Sequence, residues 1–418
     1  MGSKIAVIGG GPAGMTAAIR AAKAGAFVTL YEGNDRVGKK ILSTGNGKCN
    51  FSNERMGAQY YHGSGKALTK QILECFGTDW TIAFFEALGM RIKSREGYLY
   101  PASDQASCVL DLLRYELDRQ RITVHTGKRI AEVRTQNGKF FLTPDKAAYD
   151  AVILACGGCA APETGSDGNG FTLAGQLGHR IVTPVPALCA LRCKETFYKQ
   201  VAGVRCDAKV TLFIEEEETA SERGELQLTD YGLSGIPIFQ ISRHAARALQ
   251  EKKRVTARVS FLPDFDRETC RDYFRKRLAE RPEDEMTVFL TGIVNKKITQ
   301  LLLKLAGIRE NERARAVEAV AFERLCRLYL GLETQITDTN GFDRAQVCAG
   351  GVDCSEVTED MMSKKIPGLY FAGEILDVDG ICGGYNLQWA FASGAAAGEA
   401  AALSKSVGIW KERGGRRS

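Results

Sequence analysis

A short apolar run, Ile5-Ala-Val-Ile8, leads directly into Gly9-Gly-Gly-Pro-Ala-Gly14. Four apolar residues suit a buried strand, and Met15 to Ala24 reads as a helix ended by Gly25. A second strand, Phe27-Val-Thr-Leu-Tyr31, then delivers Glu32 to its carboxyl end, followed by Gly33. Gly9, Gly11 and Gly14 stand in a G-x-G-x-x-G frame around Pro12 and Ala13. In that frame the first glycine permits a tight turn. The second lets a pyrophosphate approach the backbone, and the third lets helix and strand pack closely. A helix N-terminus offers unpaired N–H groups and a positive dipole end to phosphate. A carboxylate at Glu32 accepts hydrogen bonds from a ribose diol, which favours an unphosphorylated 2′-hydroxyl, as in FAD or NAD. A glycine frame alone is weak evidence; strand before, helix after and acid beyond supply the context that gives it meaning.

The rest of the chain bounds the class. At 418 residues it is long enough for two or three domains. No apolar run reaches the ~18 residues that span a bilayer, and the first strand starts by Ile5, which leaves no room for a signal peptide. A cytoplasmic protein is expected, with no membrane partner. Thirteen cysteines are read as buried thiols in a reducing compartment rather than a disulfide framework. The four histidines, His62, His125, His179 and His244, have no metal-ligand spacing, so no metal is expected. A net charge of +6 suits an anionic cofactor without announcing nucleic acid. Oligomeric state has no signature in the sequence.

Gly38 to Asn53 is rich in glycine and small polar residues and is read as a loop without helical or strand period. Trp80, Phe84 and Leu88 share one helical face, and Ser103 is the expected N-cap of a helix carrying Val109, Leu113 and Leu117. Gly97 to Pro101 reads as a short strand and turn. Strands are expected near 122–125, 129–134 and 140–142, with an Asn137-Gly138 hairpin turn before the last. Ala151 to Ala155 is an apolar strand ending at Cys156-Gly-Gly-Cys159. Strands are expected at Val210–Ile214 and from Val255 to Leu262. Residues 224–237 read as a turn-dense stretch leading to a helix. From Arg267 to Leu330 the period is helical, with 14 Lys/Arg against 10 Asp/Glu. Gly368 to Gly373 is again a strand with a glycine end, and Gly383-Gly-Tyr-Asn386 opens a small-residue helix.

The fold class expected is α/β: a Rossmann-like FAD-binding domain split in sequence, with an inserted β-rich, barrel-like domain and a helical cap. The boundaries are 1–186 for the first part of the FAD domain, 187–265 for the β-rich insertion and 266–332 for the cap. Residues 333–418 return through the β-rich domain to the second part of the FAD domain.

Five blocks carry a resemblance through nearly the whole chain. They are Gly9–Gly14, Gly38–Asn53, Thr164–Gly170 through His179, Gly224-Glu225 through Ser234-Gly235, and Gly373-Glu374 through Asn386. By these the chain resembles bacterial FAD-dependent oxidoreductases, a family that includes aminoacetone oxidase and 3-dehydro-bile acid Δ4,6-reductase. The resemblance implies noncovalent FAD on Gly9, Gly11, Pro12, Ala13, Gly14, Glu32 and Gly33. It adds Lys40, Ser43, Thr44, Gly45, Gly47, Lys48, Cys49 and Asn50 along the pyrophosphate and ring. Ile130 would meet adenine through its backbone. Ala155, Cys156 and Gly157 form a turn against the cofactor, with Cys156 where many flavoproteins have Thr. Gly373 and Glu374 would serve the ribityl chain, with Glu374 where many have Asp. Gly383, Gly384, Tyr385, Asn386 and Leu387 would aim a helix N-terminus at the ring.

Only one dinucleotide fingerprint is visible, so NAD(P)H is expected as a transient co-substrate in a ping-pong scheme. The reaction the resemblance implies is reduction of a C=C bond conjugated to a carbonyl on a small molecule of steroid or bile-acid type. The alternatives are a flavin-dependent small-amine (aminoacetone-type) oxidase and a flavoprotein acting on RNA, although no nucleic acid partner is expected. Tyr98, Tyr100 and Tyr385 are the candidate proton donors. Cys156 and Cys159 are read as small residues of a glycine turn rather than as a redox dithiol.

Overall fold

The computed structural model describes residues 2–414, with side chains through residue 403. The chain forms two compact units, residues 1–184 with 347–418 and residues 185–346. The first is built on a five-stranded sheet in the order 369–371, 151–154, 4–8, 27–31 and 123–125. All four neighbouring pairs are parallel. Both faces of such a sheet must be covered, so its central strands are near-continuous apolar runs, whereas the edge strand Thr123–His125 is not. Ile5, Ala6 and Val7 on the central strand are fully buried, as are Val152, Ile153 and Leu154 beside it.

The amino-terminal helix, Pro12–Lys23, buries a face of Ala and Met residues. The long carboxy-terminal helix, Tyr385–Gly414, lies against it. Their backbones meet through two glycines. A Cβ at Gly394 would lie 2.4 Å from the carbonyl oxygen of Ala13, and one at Gly398 would lie 2.3 Å from that of Ala17. An Arg20–Glu399 ion pair closes the same contact.

The second unit is a closed six-stranded barrel with helices. Its order is 191–193, 232–235, 217–229, 205–214, 255–260 and 332–339, and the first and last strands pair to shut it. Helix Ile236–Gln250 packs its apolar face on the barrel. Helices Arg267–Glu280, Lys296–Ala306 and Ala319–Leu330 share a core around Phe274, Phe289 and Tyr329.

Several local expectations are corrected. Residues 39–43 form a helical turn rather than loop, followed by a tight turn at 44–47. Helix Ala106–Arg119 starts after Gln105, so Ser103 is not its cap. Residues 224–229 lie inside a thirteen-residue strand and 232–235 form the next one, so the turn-dense reading was wrong. Barrel closure supplies each of those strands with a hydrogen-bonding neighbour, which outweighs their turn-rich composition. Within the span 267–330 read as helical in period, Leu290, Ile293 and Val294 instead lie before the helix at 296–306. Trp80 and Phe84 do stack on one helix face, and Asn137 and Gly138 form the hairpin turn with positive φ at both residues.

Candidate functional site

The three fingerprint glycines sit in three different environments. At Gly9, with φ of 109°, an added Cβ would lie 2.3 Å from the Ala155 carbonyl oxygen. At Gly14 it would lie 1.8 Å from the carbonyl oxygen of Gly9. At Gly11 it would meet nothing within 4 Å. Turn and packing therefore explain the first and third, while open space lies in front of the second. The helix behind it begins with Pro12 and has no side-chain cap, so its first N–H groups and positive dipole end look onto that space.

Glu32 is held at the end of the second strand. Its Oε2 accepts from the Gly10 N–H at 2.8 Å, and its Oε1 accepts from the Asn34 N–H and Nδ2 at 2.8 and 2.9 Å. A carboxylate accepts about four hydrogen bonds, so acceptor capacity is left for a diol. Gly33 lies beside Arg129. Ile130 is buried and its carbonyl accepts from Asn169 Nδ2 at 3.2 Å. The carbonyl of Ile130 is thus already engaged within the protein.

Residues 40–53 come to the same place. Lys40 Nζ lies 2.8 Å from Glu374 Oε2, joining two blocks far apart in sequence. Ser43 and Thr44 donate their hydroxyls to the Lys40 and Ile41 carbonyls, which ends the short helix and uses both hydroxyl protons. Gly45, Asn46, Gly47 and Cys49 all have positive φ, a curled backbone of the kind that turns N–H groups inward. Gly45, Gly47 and Lys48 are exposed. The Cys49 side chain instead points into the core, where burial pushes its thiol up to about 12.

Three further contacts stitch this segment to the carboxy-terminal helix. Asn53 Nδ2 donates to the Gly383 carbonyl at 2.9 Å, and Ser52 Oγ donates to Gln388 Oε1 at 2.6 Å. With its amide oriented to satisfy both ends, Asn50 donates to the Ser52 carbonyl and accepts from the Gly384 N–H at 3.2 Å. Gly384 approaches so closely that a Cβ there would lie 2.4 Å from the Ser52 carbonyl oxygen. Asn386 grips the Gly380 N–H and carbonyl at 2.8 and 2.9 Å. Leu387 is half-buried.

The Gly373–Glu374 turn is held by residues the sequence reading missed. Gly373 N–H donates to Ser393 Oγ at 2.9 Å, and Trp389 Nε1 donates to the Gly373 carbonyl at 3.2 Å. The available signal was their spacing, i and i+4, one face of a helix otherwise made of small residues. A Cβ at Gly373 would lie 2.8 Å from Ala13 Cβ, so this turn abuts the first turn of the amino-terminal helix.

The three tyrosines differ. Tyr385 is buried and its hydroxyl donates to the Arg55 carbonyl at 2.9 Å. Tyr98 and Tyr100 are half-buried on one face of strand Tyr98–Pro101. The Tyr98 ring edge lies 2.8 Å from where a Gly383 Cβ would be. Burial raises the Tyr100 hydroxyl above its usual value, with Tyr98 and Asp104 adding to the effect and Arg95 opposing it.

Ala155 donates its N–H to Ile8, and Cys156 donates its thiol to the same carbonyl at 3.3 Å. Burial, with Glu32 and Asp167 adding charge repulsion, pushes the Cys156 thiol up to about 12. Gly157 has positive φ and abuts Ser166. His179 is a core histidine: Nδ1 lies 3.0 Å from Glu356 Oε2 and Nε2 lies 2.9 Å from Ser363 Oγ. Ser363 Oγ also accepts from the Lys365 and Ile366 N–H groups, so its own proton goes to Nε2 and the imidazole is neutral. Burial lowers the His179 pKa in keeping with that. Among the described residues no three His, Cys, Asp or Glu side chains are grouped to hold a metal ion.

Residues 3–400 match the model of the HI0933-like protein Rossmann domain family. The chain belongs to that family. It is 46% identical over 405 residues to a 3-dehydro-bile acid delta(4,6)-reductase of Clostridium scindens, covering 96% of this chain and 99% of the relative. It is 27% identical to a ribosomal RNA dihydrouridine synthase of Haemophilus influenzae, covering 93% and 95%. Among solved structures, the fold is similar to 3-ketosteroid delta1-dehydrogenase from Sterolibacterium denitrificans. That likeness has a TM-score of 0.50 at 12% identity, covering 96% of this chain and 100% of the other.

The residues present fit FAD. An uncapped helix N-terminus faces open space at Gly11, a fixed carboxylate stands at the next strand end, and the Gly373 turn abuts the first turn of that helix.

Proposed function

We propose that this FAD-dependent oxidoreductase reduces a C=C bond conjugated to a carbonyl on a steroid-like small molecule, in the bacterial cytoplasm, with NAD(P)H as the electron source. The observation that carries the reading is the 46% identity, across almost the full length of both chains, to a reductase named for a 3-dehydro-bile acid. The name of the more distant relative, a dihydrouridine synthase, denotes the same kind of step, saturation of a ring double bond conjugated to a carbonyl.

Bound noncovalently, FAD supplies two-electron hydride chemistry. In this reading Glu32 accepts the ribose hydroxyls, and the helix start at Gly11–Gly14 faces the pyrophosphate. The Lys40–Glu374 pair and the 45–49 backbone line its path toward the second helix start. Tyr98 and Tyr100 hold the proton. Charge builds on the substrate carbonyl oxygen as hydride arrives at the β-carbon, and a phenol hydroxyl placed there lowers the barrier by donating to it.

Anaerobic mixing with NADH or NADPH tests the first half: the ~450 nm flavin band should bleach, and an unchanged band removes the reductase reading. The second half is tested with a 3-oxo-Δ4 or Δ4,6 steroid acid, which should restore the band. Tyr98→Phe should slow that reoxidation by about 10²-fold, the typical worth of one general acid, without altering bleaching.

A second reading, action on RNA, rests on the 27% relative. Reoxidation by uridine-containing RNA and not by the steroid would favour it. Peroxide release with an amine and no nicotinamide would favour an oxidase instead.

A further inference from the structure

The turn Cys156-Gly-Gly-Cys159 does not pair its own two cysteines. Cys156 is committed to the Ile8 carbonyl. Cys159 instead lies next to Cys348, from the fully buried strand Val347–Val352, near enough for each thiol to shift the other's proton affinity. Gly158 makes the approach possible: a Cβ there would lie 2.2 Å from Cys348 Sγ. Cys348 is buried, whereas Cys159 is partly exposed. The pair is therefore asymmetric, with one reachable sulfur backed by one protected sulfur.

We propose that Cys159 and Cys348 form a dithiol site that hydrogen peroxide oxidises to an intrachain disulfide, locking the 156–159 turn to strand 347–352. The chemistry balances in two steps. Cys159 thiolate attacks one peroxide oxygen; the S–O bond forms, the O–O bond breaks, and hydroxide leaves to become water. Cys348 sulfur then attacks the Cys159 sulfenic sulfur. The S–S bond forms, the S–O bond breaks, and a second water departs with the remaining thiol proton. Two sulfurs lose two electrons, and peroxide gains them.

Exposure assigns the roles, and the direction of the electrostatics agrees. The neighbouring Cys348 thiol and the charge of Lys40 lower the Cys159 thiol below its ordinary value, against burial and Glu374. The neighbouring Cys159 thiol, with burial, raises Cys348. The attacking sulfur is the partly exposed Cys159, and the buried Cys348 resolves. This site is independent of the substrate reading above.

The test is alkylation mapping on the flavin-loaded full chain. One equivalent of peroxide, then N-ethylmaleimide and peptide mass analysis, should lower Cys159 labelling by about tenfold while exposed Cys75 changes by less than about twofold. A Cys159–Cys348 linked peptide should appear, lighter by two hydrogens than its parts. In Cys348→Ser, dimedone should capture a sulfenic acid at Cys159 and the linked peptide should vanish. Cys159 labelling that survives peroxide while Cys75 oxidises, or a Cys156–Cys159 link, overturns the proposal. If Cys348→Ser does not fold, the wild-type link map decides alone.

Discussion

Replacing Gly394 by alanine should destabilise the first unit, although alanine is the better helix former. Alanine in a helix interior is favoured over glycine by about 1 kcal/mol. At Gly394 that gain meets the amino-terminal helix: the new Cβ would lie 2.4 Å from the Ala13 carbonyl oxygen and 3.1 Å from its carbon. Both atoms are backbone, so no side chain can swing away. Relief requires the two helices to part. At the next residue, Gly14 already sits so close to the preceding turn that a Cβ there would lie 1.8 Å from the Gly9 carbonyl oxygen. Overpacking of this kind costs ~1–3 kcal/mol, and a contact between two backbones belongs at the upper end. The net expectation is a loss of about 1–2 kcal/mol. Gly175 provides the internal control. It lies in helix Asn169–Gln176 with nothing within 4 Å of its Cβ position, so Gly175→Ala should gain up to ~1 kcal/mol. Urea melts of the three proteins measure both signs. The double variant Gly394→Ala/Gly398→Ala should lose less than the sum of its parts, because one displacement relieves both contacts. A Gly394→Ala protein as stabilised as Gly175→Ala would refute the close helix contact and the argument built on it.

Gly11→Ala should fold with an unchanged melting temperature yet fail to take up FAD, whereas Gly14→Ala should lose the folded unit itself; flavin absorbance and thermal melts separate the two. Ser393→Ala leaves the buried Gly373 N–H without an acceptor and should cost ~1–3 kcal/mol in a urea melt, with weaker FAD retention on dilution. Glu323 is held at about 2 by hydrogen bonds from Arg271 and Arg267. Its depressed value means the unfolded chain binds the proton first, so its contribution is complete above the ordinary value of 4.5 and disappears as pH falls toward 2. Glu323→Gln should flatten that acid-side slope in stability-versus-pH curves, and an unchanged slope would show the pair contributes nothing there.

What was legible in the sequence were features whose cause is local. The strand, turn and helix at 4–23, the Asn137-Gly138 hairpin and the Trp80–Phe84 face each follow from a short pattern, and each is present. The failures are where distant partners decide. Residues 224–229 carry turn-like composition but are strand because the barrel gives them partners on both sides. Cys159 has Cys156 as its neighbour in sequence, but the thiol beside it in space, Cys348, arrives from a strand nearly two hundred residues away. Ser393 and Trp389 look like ordinary helix residues until the Gly373 turn is seen to hang from them.

The same division runs through the fingerprint itself. A sequence pattern treats Gly9, Gly11 and Gly14 as equals, but the structure accounts for two of them without any ligand. Gly9 and Gly14 are required by the fold, since side chains there would strike the Ala155 and Gly9 carbonyls. Gly11 has an extended backbone open to any residue and empty space before it. Neither strain nor packing asks for glycine at that position, so the cause lies in what must approach the backbone there. The uncapped helix start behind it and the pinned Glu32 carboxylate beside it give that occupant its chemistry: anionic at one point and rich in hydroxyls at the next.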